Sequence, residues 1–249
     1  YNMMYDNVFA ILGKRGTGKT SVVFSLQQKL KQNADEQADV VLPIIIPEAI
    51  PYDCSVLGWI LAIVRDQIVI LEEELNGYTE NNERYHDNSH WADCKTGFAG
   101  KKGNQLSREL DELVELYFAG KYNPGNETSY NLAVGNSAKQ ATNYYQFTKS
   151  IIALWDKWIS AICQLRKLQG KRQITPLIYF IFDDVDLAPE KASELMSVII
   201  KYLSHPNMIV LMTADEEMLV EVIENSLDAK IGKLPKEWRE YLNDNTELK

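Results

Sequence analysis

The 249-residue sequence is poor in cysteine and histidine, with three of each. Cys54, Cys94 and Cys163 are widely spaced and odd in number, which excludes a disulfide scaffold and fits a reduced, cytoplasmic setting. Long apolar runs are missing as well. No stretch approaches the roughly 18–20 residues of a membrane span, and the opening YNMMYDN reads as too short and too polar for a secretory leader. Positive charge is not in excess: 26 Lys and Arg against 35 Asp and Glu leave a net charge of −9, which argues against bulk coating of nucleic acid. Internal repeats are absent. What remains is ordinary globular composition, 45% hydrophobic and 24% charged, enough for one large domain with an insertion. The start at Tyr1 and the polar end LNDNTELK lead us to expect a fragment of a longer protein.

The hydrophobic pattern alternates between strand and helix. Val8 to Leu12 is a short apolar run ending in glycine, hence a buried strand. From about Gly18 to Gln32, Val22, Val23, Leu26 and Leu30 recur at helical spacing, and NADEQAD reads as a polar loop. VVLPIII, Val40 to Ile46, is a second strand. Pro43 cannot donate to a ladder and so places it at a sheet edge. After a turn-rich link, with Asp53 or Ser55 as cap, VLGWILAIVRDQIVILEEEL is a long core helix. Residues from about Asn76 to Thr142 break the rhythm and read as a mainly helical insertion carrying the amphipathic LSRELDELVELYF. YYQFTKSIIALWDKWISAICQLRKL returns to the core. Leu177 to Phe182 is an uninterrupted apolar strand suited to a central parallel position. The helix PEKASELMSVIIKYLS, the strand Met208 to Thr213 and the helix EEMLVEVIENSL follow. Strands alternating with helices imply right-handed crossovers and a parallel three-layer α/β sheet.

Two motifs carry chemistry. Gly13, Lys14, Arg15, Gly16, Thr17, Gly18, Lys19 and Thr20 satisfy G-x-x-x-x-G-K-[ST], with Ser21 next. Glycines let the backbone curl so that N–H groups point around phosphate oxygens, and the following helix offers its positive end to the same anion. Lys19 can reach the β- and γ-phosphates, and the Thr20 hydroxyl can ligate Mg²⁺. A chance match in such a chain is about one in a hundred, and this one lies between a strand and a helix, as the motif requires.

The second motif, FIFDDVD, ends an apolar strand in acid. Asp183 is the expected Mg²⁺-side carboxylate opposite Thr20, and Asp184 the candidate base for the attacking water. Asp186 either assists or caps the next helix. Asp184 is a carbon shorter than glutamate, so slow, switch-like hydrolysis is expected. Thr213, at the end of the next strand, can touch the γ-phosphate or the lytic water, because that strand should lie between the other two. Asp215 is the expected cap of the following helix.

Weaker signals remain. His86, His90 and Cys94 share fourth-residue spacing, which would align zinc ligands on one helix face, but the surrounding sequence is loop-like. RKLQGKRQ, Arg166 to Gln173, is a cationic cluster at a helix end, which ordinarily favours the helix terminus and solvent.

LGKRGTGKTS, YFIFDDVDLAP and NMIVLMTADEE together resemble the motif blocks of AAA+-like ATPases in the additional-strand P-loop class, nearest to its STAND, KAP and origin-recognition-like members. The resemblance covers about 1–55 and 174–226. It implies a three-layer αβα P-loop NTPase fold with strand order 5-1-4-3-2, whose second strand is on the edge, as Pro43 requires. ATP is favoured because the guanine-reading N/T-K-x-D is absent. No fifth strand or helical lid follows the helix ending near Leu227. Arg239 is the only arginine after the acidic block and lies in no finger motif, so those parts are expected beyond Lys249. The resemblance implies an ATP- and Mg²⁺-dependent ATPase that switches or assembles, as a homo-oligomer or with a partner protein. Anti-phage defence, related to RADAR or other STAND-like systems, or signalling is the expected setting. The alternatives are a nucleotide-dependent scaffold with little turnover and a DNA-binding initiator-type ATPase.

Overall fold

The computed structural model describes residues 7–85, 105–121 and 130–231. Strands β1 (Val8–Leu12), β2 (Val40–Ile45), β3 (Ile178–Phe182) and β4 (Met208–Ala214) form one sheet in the order β1-β4-β3-β2. Every pairing is parallel. The helices are α1 (Lys19–Gln37), α2 (Val56–Tyr85), α3 (Gln105–Lys121), α4 (Tyr130–Leu168), α5 (Pro189–Tyr202) and α6 (Glu216–Ile231).

Alternation along the strands supplies both faces of the sheet with apolar side chains. Ile181 and Leu211 meet Val23 of α1 on one face. Phe180, Phe182, Val210 and Met212 point to the other, into a larger core with α2, α4 and α5. Trp155, Trp158 and Phe147 are fully buried there, each contributing about 1.5–3 kcal/mol of apolar burial. The indole N–H of Trp155 donates to the Tyr202 carbonyl at 2.8 Å, so this large ring enters the core without an orphaned donor. No helix among the described residues is long and apolar enough to cross a membrane.

Pro43 acts as its chemistry dictates. β2 is an edge strand, and its register with β3 slips between Val41 and Ile44. The Leu42 carbonyl beside the proline accepts a hydrogen bond from the buried Gln27 side chain at 2.8 Å, which pins α1 to this irregular edge. At the opposite edge β1 pairs with β4 alone among the described strands, and, contrary to the burial expected from its apolar run, Val8, Phe9 and Leu12 are exposed because no second neighbour covers this edge among the described residues.

Several helices outrun their expected ends. NADEQ is the end of α1 rather than loop, because Ala, Glu and Gln propagate a helix without an apolar stripe. The helix stops at Ala38, whose φ of 68° is left-handed. α2 continues ten residues past Leu75, α4 begins at Tyr130 and α6 reaches Ile231. Both ends of the expected 76–142 insertion are thus continuations of core helices. α3, between them, buries Leu106, Leu110, Leu113 and Tyr117 in the main core. Glu72 of α2 accepts the Leu106 and Ser107 N–H groups at 2.7 and 3.2 Å, holding the start of α3. Arg65 binds Asp111 through two nitrogens at 2.7 and 3.0 Å. Of the two expected caps for α2, Ser55 serves, its hydroxyl accepting the Gly58 N–H at 3.0 Å.

Candidate functional site

The register aligns the carboxyl ends of three neighbouring strands. Leu12 pairs with Ala214, and Met212 with Phe182. The two motifs, some 170 positions apart in the chain, therefore emerge side by side, and β4 lies between β1 and β3.

Gly13 leaves β1 with its N–H donating to Ala214 at 3.2 Å. Lys14, Arg15, Gly16 and Thr17 form the loop, which is braced internally: both the N–H and the hydroxyl of Thr17 donate to the Lys14 carbonyl, at 3.3 and 2.7 Å. Gly16 and Gly18 have φ of 83° and 88°, and a Cβ at either would project into open space. Backbone conformation, rather than crowding, is what demands glycine there. Gly18 is the N-cap of α1. Among the described residues no side chain caps that end, and its first turn carries no acid, so the positive end of this 19-residue helix is uncompensated there. Lys19, Thr20 and Ser21 follow in the first turn, Thr20 and Ser21 exposed. Lys19 is only 8% exposed and lies over the loop, its ammonium donating to the Gly13 and Lys14 carbonyls at 2.6 and 3.2 Å.

Across from it, Asp183 follows β3 and is 1% exposed. Its backbone N–H donates to Ile45 at 2.9 Å, and its carboxylate accepts the Thr213 hydroxyl at 2.5 Å. Thr213 in turn accepts the Asp184 N–H at 2.9 Å. One buried hydroxyl therefore fixes both acids, and it does so while Asp184 adopts a left-handed backbone with φ of 52°. That conformation is unusual for a non-glycine residue and turns the chain into the 3-10 turn Val185–Leu187.

Burial raises the Asp184 pKa above the ordinary carboxylate value, with Asp183 and Asp186 adding to the effect; the Lys19 ammonium and Arg15 guanidinium oppose it. Lys19 and Arg15, two of the motif's three cations, thus act electrostatically on the candidate base, a role for Arg15 that the motif alone did not signal.

The remaining expected residues sort themselves by contact. Buried Asp186 accepts the Asp215 N–H at 2.9 Å, which ties the acidic loop to the start of α6. Asp215 caps that helix, accepting the Glu217 N–H at 3.1 Å. Lys14 faces Glu217 at 3.7 Å, so the glycine loop also touches α6. Thr213 does not cap α6; it serves the acidic loop. Arg166 of the cationic cluster is drawn inward, donating to the Glu36 and Arg172 carbonyls at 3.0 and 3.2 Å. His86, His90, Cys94 and Arg239 lie outside the described residues.

Comparison of the sequence with protein-family models and with curated proteins returned no match.

Proposed function

We propose that the chain is an ATP-binding module that hydrolyses ATP in a Mg²⁺-dependent reaction, with an AAA+-like P-loop core. The observation that carries this reading is the N-terminus of α1, free of a side-chain cap and reached through left-handed Gly16 and Gly18, on the same sheet rim as buried Asp183 and half-buried Asp184 at the end of β3, with β4 between. The order β1-β4-β3-β2 supports it, being the 1-4-3-2 portion of the order expected for that class. The exposed apolar edge of β1 supports assembly or cover by a further segment in the working protein.

The residues present fit the nucleotide and its ion. The loop amides and the start of α1 suit a polyphosphate, Lys19 supplies the charge for its terminal groups, and Thr20 with Asp183 supplies hard oxygens for Mg²⁺. Bound Mg²⁺ neutralises developing charge on the phosphates. Asp184, its affinity for a proton enhanced by burial, orients the attacking water and takes up its proton. Thr213 holds Asp183 and Asp184 in place for these tasks. Nucleotide-driven switching, of the kind used in defence or signalling systems, is the wider role we propose with it.

The test is ATP binding and phosphate release by the wild type, Lys19→Ala and Asp184→Asn. Lys19→Ala should lose ATP affinity with the fold retained, and Asp184→Asn should bind but release little phosphate. Unchanged affinity in Lys19→Ala sinks the assignment. Tight binding without turnover in the wild type moves the reading to a nucleotide-dependent scaffold.

A further inference from the structure

The carboxyl rim of the sheet carries a second concavity, past β3 and β2 and sharing no residue with the glycine loop. It is a groove of about 430 Å³ between the loop after β2 and the first turn of α5. Pro47 and Pro51 line one wall and Pro189 the other. Each wall also brings a carboxylate to the surface, Glu48 from one and Glu190 from the other. Tyr52, 86% exposed, stands in the lining with its ring uncovered.

The one cation in the lining is already engaged. The Lys191 ammonium donates to the carbonyls of Pro51 at 3.2 Å, Tyr52 at 3.4 Å and Cys54. It clamps α5 to the loop bearing Tyr52, so the walls are set before any ligand arrives, which lowers the ordering cost of binding. Those carbonyls are neutral, so Lys191 keeps its charge and the lining is net negative by one, with both carboxylates facing solvent. A side chain as exposed as Tyr52 contributes little to this fold, yet an aromatic face beside acids is what a planar cation needs.

We propose that this groove docks an extended segment of a partner protein that presents an arginine flanked by small apolar residues. The guanidinium stacks on Tyr52 and pairs with Glu48 and Glu190, and the flanking residues lie on the prolines. The volume falls within the roughly 300–1,000 Å³ that such ligands occupy. Arginine is favoured over lysine because only its flat fork can stack and chelate together. The inference stands apart from the nucleotide reading.

Fluorescence anisotropy of a dye-labelled, end-blocked Ala-Pro-Arg-Pro-Ala peptide against the full chain tests it. Saturable binding is expected, weakening as salt rises and falling roughly tenfold in Tyr52→Ala and in the Glu48→Gln/Glu190→Gln double variant. The same peptide with glutamate in place of arginine should not bind. These substitutions change exposed side chains, so the fold is not at stake. No saturable binding, indifference to both variants, or equal binding of the glutamate peptide would overturn the proposal. Self-association of the chain that Tyr52→Ala abolishes, without peptide binding, would overturn it too, by giving the groove to a second copy.

Discussion

Replacing Thr213 with valine keeps the shape of a fully buried side chain and deletes one hydroxyl. That hydroxyl donates to the Asp183 carboxylate at 2.5 Å and accepts the Asp184 N–H at 2.9 Å. The first bond is charge-assisted, and its loss costs about 1.5–3 kcal/mol; an unsatisfied Asp184 N–H adds about 1–3 kcal/mol. The extra methyl returns about 1 kcal/mol of apolar burial. The net expectation is a destabilisation of about 1.5–5 kcal/mol. Thr213→Ser keeps both hydrogen bonds and loses one methyl, costing about 1 kcal/mol. Urea unfolding followed by tryptophan fluorescence, to which buried Trp155 and Trp158 contribute, measures both, without nucleotide, and m should stay constant while the midpoint falls. In phosphate-release assays the order should be the same, since only serine preserves the placement of Asp183 and Asp184. A valine variant as stable as the serine variant, or more active, would refute the idea that this hydroxyl organises the acidic loop.

Three further outcomes are expected. Because the folded-state pKa of Asp184 is raised, its contribution to stability is full below the ordinary value of 3.8 and is lost as pH rises through the folded pKa; Asp184→Asn should remove that fall in urea titrations across pH, made without nucleotide or Mg²⁺. Asp111 is shifted the other way by its hydrogen bonds to Arg65, so the pair's stabilisation is present above pH 3.8 and disappears as pH falls through the depressed pKa. Thermal melts of Asp111→Asn against wild type should converge in acid and, since the pair is half exposed, at high salt. Ser55→Ala should cost roughly 1 kcal/mol by uncapping α2, visible as a lowered midpoint in the same urea assay.

Legibility in the sequence followed the kind of signal each residue gives. Pro43 announced an edge because its missing donor is a covalent fact, and β2 lies there. β3 and β4 were legible because burial on both faces leaves uninterrupted apolar runs; β1 carries such a run as well, yet it is an exposed edge rather than the buried strand that the run suggested. Helix ends were not: residues 33–37 and 76–85 extend α1 and α2 through mostly polar sequence, which carries no apolar periodicity to read. Ser55 and Asp53 were equal as caps until the loop geometry chose between them. The glycine loop and Asp183 were named by motif alone. That Thr213 would spend its hydroxyl on Asp183 and Asp184, and Asp186 its carboxylate on Asp215, depended on distances across strands that no local pattern encodes.

The pairing of β1 with β4 has a consequence for how the protein is made. Asn7, at the start of β1, hydrogen-bonds to Met208 across 201 positions of sequence. The segment carrying the glycine loop is translated about 200 residues before its neighbouring strand, which comes last among the four. At about 5–20 residues per second, β1 waits roughly 10–40 s with an apolar edge and no partner. Its phosphate loop lacks Ala214 to anchor Gly13 until then. The acidic pair waits on the same residues, because Thr213 arrives with them. A nascent chain halted before residue 213 therefore displays the glycine motif without the acidic loop's anchor, and synthesis itself times when the two can first be joined.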